Sequence, residues 1–131
     1  MLKTITITDS GTYTVFSVPN DKIYRLVNIY YEFEATPGDG VSGDYLKIID
    51  NYGGTDNVVA YFGVTEMTGA LYKGNGGMYA PVVPTLDIEL IGTVKIDIRD
   101  RRVSASVPAT IHFELEEVEV KGGNTNVQTN E

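Results

Sequence analysis

The chain has 131 residues, no cysteine, and eighteen acidic against ten basic residues, a formal charge of −8. That length suits one domain that buries roughly two-thirds of its unfolded surface without staples, and the absence of cysteine removes disulfides and thiolate metal sites. A charge of this sign repels phosphate backbones and anionic lipid, so neither nucleic acid nor membrane is an expected partner.

Taken in chain order, the sequence reads as strands and turns. The start, MLKTITITDSG, has no apolar run long enough for a signal peptide, and no segment approaches the roughly 18 apolar residues that span a bilayer. A soluble product made without export is the expectation. Ile5 and Ile7 alternate with threonines, and Thr12 to Val18 is rich in β-branched and aromatic residues. The run KIYRLVNIYYEFEA has helical length but strand alternation. Val27, Ile29, Tyr31 and Phe33 fall on one face, and Asn28, Glu32 and Glu34 on the other. Leu26 and Tyr30 on that second face predict that it is partly covered too.

A ThrProGlyAspGly turn at 36–40 leads to YLKIID and NVVAYFGV, with the stretch DNYGGTDN between them. The spacing of that stretch fails the EF-hand pattern, because Gly54 stands where a third ligand is needed and Tyr61 where a bidentate glutamate is needed. A hairpin connection is the better reading, with Asp50 and Asn51 initiating the turn, Gly53 and Gly54 supplying positive φ, and Asp56 and Asn57 closing it. LYKGNGGMYAP follows as a long loop without phosphate-loop spacing. TLDIELI and TVKIDIRD then alternate cleanly, with Leu86, Ile88 and Leu90, and Val94, Ile96 and Ile98, on single faces. The basic residues Arg99, Arg101 and Arg102, interleaved with Asp97 and Asp100, read as a solvated turn with local ion pairs.

In ATIHFELE, Ile111, Phe113 and Leu115 alternate with His112, Glu114 and Glu116. The phase then changes, since Val118 and Val120 fall in register with the glutamates; a bulge near Glu116–Glu117, or departure from the core, explains this. The polar end KGGNTNVQTNE is expected to be a flexible tail. The expected architecture is therefore a single-domain, all-β, antiparallel sandwich, jelly-roll-like, over residues 1–120, with a polar arm at 121–131.

Catalytic chemistry finds little support. His112 is the only histidine, so it is the only imidazole base available to a nucleophile–base–acid set, and its place on a polar strand face predicts an exposed side chain. No serine has a nucleophile-elbow setting, and one histidine without cysteine makes zinc a poor fit. No catalytic, cofactor or metal residue is assigned. Nine tyrosines and no tryptophan suit protein contacts. The candidate partner-contact residues are Tyr72, Met78 and Tyr79 in the long loop and Gly122, Gly123, Asn124 and Val127 in the tail.

The succession IYRLVNIYYEFEATPG, YLKIIDNYGGTDNVVAYFG and MYAPVVPTLDIELIGTVKIDIRD, over about Lys22 to Asp100, resembles a diffuse group of small β-sandwich virion proteins of tailed bacteriophages. The resemblance implies a capsid decoration (cement) protein or another minor head or tail component. It further implies a location in the virion after assembly in the host cytoplasm. The implied partners are the major capsid protein or other virion proteins, in a homo-oligomer, by preference a trimer. The group carries no catalytic motif that transfers to this chain, and the acidic final strand and polar tail depart from its pattern. The alternative expectation is a carbohydrate- or receptor-binding module of a head fibre or tail, using Tyr72 and Tyr79. A small carboxylate-based hydrolase ranks last.

Overall fold

The computed structural model describes residues 1–35, 41–63 and 86–118, and the backbone alone of 71–72. The described residues form nine strands: β1 (Leu2–Ile7), β2 (Gly11–Ser17), β3 (Ile23–Phe33), β4 (Tyr45–Tyr52), β5 (Thr55–Gly63), β6 (Leu71–Tyr72), β7 (Ile88–Leu90), β8 (Thr93–Arg99) and β9 (Ala109–Val118). One sheet runs β1-β9-β3, and β6 and β7 share the far edge of β3; the other runs β2-β8-β4-β5. Every pairing is antiparallel except the two-residue β3–β6 ladder. The described residues contain no helix. The two sheets form a single-domain β-sandwich.

The core lies between the sheets. Ile7, Leu26, Ile29, Tyr31, Phe33, Ile111, Phe113 and Leu115 come from one side, and Phe16, Leu46, Ile48, Val94, Ile96 and Ile98 from the other. Burial of these alternating apolar faces is the main favourable term in folding. Phe16 meets Phe113 edge-on at 6.0 Å, and Tyr31 stacks on Phe33 at 5.0 Å.

Three bulges punctuate the ladders, and in each the extra residue is a valine. Register shifts between Thr14 and Phe16, between Leu26 and Asn28, and opposite Ile48 and Ile49 leave Val15, Val27 and Val59 without a single opposing residue. The bulge in β3 explains its mixed faces. Tyr24 and Leu26 point into the core before Val27, and Ile29, Tyr31 and Phe33 do so after it. Val27 therefore does not belong with Ile29 on the core face, as strict alternation predicts; it is the residue at which the phase changes. At the end of β9 the strand does leave the core: it stays paired to β3 as far as Val118, while Glu116 and Glu117 are exposed.

DNYGGTDN is a two-residue hairpin. Tyr52 pairs with Thr55, and Gly53 and Gly54 have φ of 61° and 75°, the left-handed pair that a type I′ turn requires. Asp50 and Asn51 lie within β4, and Asp56 and Asn57 within β5, so the strands extend closer to the turn than expected. Asp50 does not initiate the turn. Its carboxylate, 1% exposed, accepts the backbone N–H of Ile91 and of Gly92, both at 2.9 Å, and so clamps the β7–β8 connection. Gly92 passes so close that an added Cβ would lie 2.0 Å from the Asn51 carbonyl oxygen. The carbonyl of Gly92 in turn accepts Val18 N–H at 2.9 Å.

The arginine turn is less solvated than its composition predicts, because two of its carboxylates are inside. Asp44, 1% exposed, accepts from Arg101 N at 2.7 Å and Arg101 Nε at 2.9 Å, with Arg99 Nε at 3.5 Å. Asp100 accepts from Arg102 N, Nε and NH2 and from the Tyr31 hydroxyl at 2.7 Å. The Arg102 guanidinium lies 4.8 Å from the Phe33 ring centre. Burial opposes ionisation of Asp100, but the hydrogen bonds from Arg102 and Tyr31 outweigh it and hold the carboxyl below its ordinary value. Burial and the same carboxylate push the Tyr31 phenol up, so it remains a donor.

Two outcomes are expected. Gly92→Ala displaces the β4 backbone and lowers the unfolding free energy by about 3 kcal/mol in urea melts. Because the Asp100 pKa is depressed on folding, its contribution is complete above the ordinary value of 3.8 and is lost as pH falls through the lower folded value. Asp100→Asn therefore lowers stability at pH 7 and flattens the fall in stability on acidification below that value, as read by urea midpoints at stepped pH.

Candidate functional site

The outer face of the β1-β9-β3 sheet carries a ladder of polar side chains set by register. Three rows cross the strands in sequence: Leu2, Glu114 and Asn28; Thr4, His112 and Tyr30; Thr6, Thr110 and Glu32. Thr6 and Thr110 share a hydroxyl hydrogen bond of 2.9 Å. Thr4 Oγ1 lies 3.0 Å from His112 Nδ1, and His112 Nε2 lies 3.2 Å from Glu32 Oε1. His112 is 8% exposed and Glu32 3%. The expected exposed histidine is therefore buried: β9 is the central strand of three, and side chains from both neighbours close over it. A carboxylate only accepts, so Nε2 carries the hydrogen toward Glu32.

Hydroxyl, imidazole and carboxylate in that order resemble a nucleophile–base–acid chain. The neighbouring rungs argue for a simpler origin. Thr6 with Thr110, and Asn28 with Glu114, make the same cross-strand pairing without any reactive combination, so the histidine rung is one member of a structural series.

Next to this rung is an open depression of about 370 Å³ lined by Met1, Leu2, Tyr30 and Glu114. Met1 is held there by two bonds to Leu115: the N-terminal ammonium donates to the Leu115 carbonyl at 2.9 Å, and the Leu115 N–H donates to the Met1 carbonyl at 2.8 Å. Tyr30 donates to Glu114 Oε1 at 2.5 Å, and Asn28 Nδ2 approaches the same oxygen at 3.4 Å. The hydrogen bond to Glu114, with burial second, raises the Tyr30 phenol above its usual pKa and keeps it protonated.

A second surface lies on the β4–β5 hairpin, at the edge of the other sheet. Tyr52, Val58 and Tyr61 are exposed, Val58 and Tyr61 at 58% each. Tyr61 stacks on Tyr45 at 5.8 Å, and Lys47 Nζ caps the pair, 4.8 Å from the Tyr45 ring and 5.9 Å from Tyr61. Asn51 Nδ2 and Lys95 Nζ both reach Asp56 Oδ1, at 2.5 Å and 3.2 Å, which neutralises the one acid of this strand. The sequence carried part of the signal for this surface: a two-residue turn at Gly53–Gly54 by itself sets Lys47 opposite Ala60, and the Val59 bulge moves the pairing on to Tyr61.

Of the contact residues expected from sequence, Tyr72 lies in β6, its backbone in register with Phe33. Met78, Tyr79, Gly122, Gly123, Asn124 and Val127 lie outside the described residues. Among the described residues, no group of three or more His, Asp or Glu side chains is placed to hold a metal ion.

No family model matches the chain, and no curated protein matches it. Among solved structures, a chain from the "Acidic stable capsid structure of Helicobacter pylori bacteriophage KHP30" is similar, at 12% identity and a TM-score of 0.46. The match covers 92% of this chain and 93% of that one. Similarity at that level does not define the role of this chain.

The ladder makes a stability prediction. Glu32→Ala removes the acceptor of a buried imidazole and costs about 2 kcal/mol, whereas Thr4→Ala at the exposed end costs under about 1 kcal/mol, both measured by chemical denaturation.

Proposed function

We propose that this chain is a structural protein of a tailed-bacteriophage particle: a decoration (cement) protein that binds the major capsid protein and stabilises the head shell by contact alone. The strand order carries this reading. Apart from the β4–β5 hairpin and the β6, β7 pair on the edge of β3, successive strands change sheet, so that β1, β9, β3 and β7 face β2, β8, β4 and β5. We read that order as jelly-roll-like, a plan used by viral capsid and lectin domains. The step from fold to role is an analogy. The resemblance of the Lys22–Asp100 segment to small virion proteins supports the viral member of that pair.

The hairpin surface supplies the contacts. Exposed Tyr52, Val58 and Tyr61 place aromatic and aliphatic area on a hairpin whose Asp56 is already paired with Lys95, on a chain whose charge of −8 otherwise keeps molecules apart. The Val59 bulge twists this edge away from flat strand addition, so side chains rather than a backbone ladder make the contact. Trimers of the chain would present three such hairpins together, and the 121–131 arm would reach a neighbouring molecule.

A second reading, a carbohydrate- or receptor-binding module of a head fibre or tail, is favoured by the stacked Tyr45–Tyr61 pair, whose outer ring offers an aromatic platform. Copy number in purified particles, counted by mass spectrometry, separates the two: hundreds of copies support decoration, and a handful support a fibre or tail. Two perturbations are expected to lower affinity for particles lacking the protein by at least tenfold: Val58→Ser combined with Tyr61→Ser, and, separately, removal of residues 121–131. Melting temperature should shift by only a few degrees in each case. Unchanged particle affinity in both would remove these surfaces from the account.

A further inference from the structure

Among the described residues the sandwich has four sheet edges, and three of them are occupied or blunted. The far edge of β3 is taken by β6 and β7, and the outer strands β2 and β5 each carry a bulge, a device that turns an edge away from a newcomer. β1 is the exception. It pairs with β9 through six consecutive residues without a register shift, contains no proline, and has Lys3 as its one charged residue. The phase of the ladder fixes what this edge offers. Met1 and Leu115 exchange both backbone bonds, and on the other side of β9 the Glu34 N–H donates to the Pro108 carbonyl. Antiparallel alternation then turns the backbone groups of Lys3, Ile5 and Ile7 toward β9 and those of Leu2, Thr4 and Thr6 outward. The side chains of the same three residues are exposed, Leu2 at 56%. Their N–H and C=O groups meet no strand of the described residues.

We propose that β1 is a self-association edge, along which two copies of the chain pair antiparallel about a two-fold axis at Thr4 and join their β1-β9-β3 sheets into one. In that register Thr4 faces Thr4, Leu2 faces Thr6, and Lys3 faces Ile5 of the other copy. The outward N–H and C=O groups of Leu2, Thr4 and Thr6 are then all met, and the faces of the two sheets stay in phase. Charge selects both the occupant and the direction. Lys3 lies near one end of the strand and Asp9 just beyond the other, so antiparallel self-pairing sets a basic end beside an acidic end and no lysine opposite a lysine. Parallel pairing sets like beside like. β1 itself carries none of the eighteen acids that oppose contact between copies elsewhere. Exposed Leu2 gains a cross-strand neighbour in Thr6 of the other copy. The Tyr52–Tyr61 hairpin ends the other sheet on β5, away from β2, the strand that adjoins β1. A pair joined at β1 therefore leaves both hairpins free. The inference goes beyond the contact role proposed above and does not rest on it.

The test is sedimentation equilibrium of the full chain from about 5 to about 500 µM, with amide hydrogen exchange read by NMR at both ends of that range. One strand pair buries less than the roughly 1,200 Å² of a stable specific interface, so a monomer–dimer equilibrium that loosens on dilution is expected. The amides of Thr4 and Thr6 are protected at high concentration and exchange freely at low concentration. Leu2→Pro and Thr4→Pro each remove one outward N–H from each copy and no backbone bond to β9, so each weakens association by about tenfold or more in a chain that stays folded. Val58→Ser combined with Tyr61→Ser leaves association unchanged. A monomer throughout the range, a trimer in place of the dimer, association that survives both proline variants, or loss of association in the hairpin variant would each overturn the proposal. Exchange of the wild-type chain at two concentrations needs no variant, so a folding defect does not leave it undecided. Neither readout involves a particle: failure here leaves the decoration reading standing, and failure to bind particles leaves the pairing standing.

Discussion

Three aspartates that the fold buries must each be given donors, and that requirement shapes the connections between strands. A carboxylate removed from water is tolerated only where hydrogen bonds replace its hydration. Asp50 meets the condition by gathering the Ile91 and Gly92 amides, Asp44 by holding the backbone and side chain of Arg101, and Asp100 by engaging Arg102 and Tyr31. Each bond crosses from one part of the chain to another far from it in sequence, apart from the local Arg102 contact. The apolar core holds the two sheets together; the aspartates decide which turn lies over which strand. Gly92 belongs to the same device, because the clamp brings its backbone too close to Asn51 for any side chain.

Much of the sandwich was legible in the sequence, and the reasons for the exceptions are physical. Val94, Ile96 and Ile98 alternate without interruption and form a strand with one clean core face. The glycine pair of DNYGGTDN identified the hairpin. Alternation failed at Val27 because a bulge leaves no residue-type signature; valine is an ordinary strand residue, and only the partner strand shows that it is the extra one. His112 was misplaced because a polar side chain opposite a core residue reads as solvent-facing. Whether neighbours cover it depends on strand order, which a single strand does not encode. The arginine turn was misjudged for a similar reason, since charge composition says nothing about which carboxylate the fold takes inside. For the site, the tyrosine pair of the hairpin depends on a register set by the turn type together with the Val59 bulge, and the bulge has no residue-type signal. The Glu114 depression joins residues from both ends of the chain and from β3. Of the contact residues that the sequence suggests, Tyr72 falls in β6, and the others lie outside the described residues.

The two sheets present different outer surfaces. On β1-β9-β3, cross-strand pairs join hydroxyl, imidazole, amide and carboxylate groups into a ladder. On β2-β8-β4-β5, aromatic rings and a lysine cover the strand next to the edge. The two faces therefore offer different chemistry to whatever meets them, a hydrogen-bonded polar ladder on one side and aromatic area capped by a lysine on the other. The charge of −8 opposes self-association on both.

The valine bulges have an evolutionary consequence. A strand is read in steps of two, so each extra residue exchanges the faces of everything after it. Loss of Val27 alone would leave Leu26, Asn28 and Ile29 opposite Leu115, Glu114 and Phe113 as they are, closing the bulge without moving a side chain to the other face. A one-residue deletion is absorbed in the same way at Val15 or Val59, whereas a deletion inside an unbulged strand such as β8 exchanges the faces of everything after it. The three valines are thus the places where these strands can shorten by one while the core keeps its side chains.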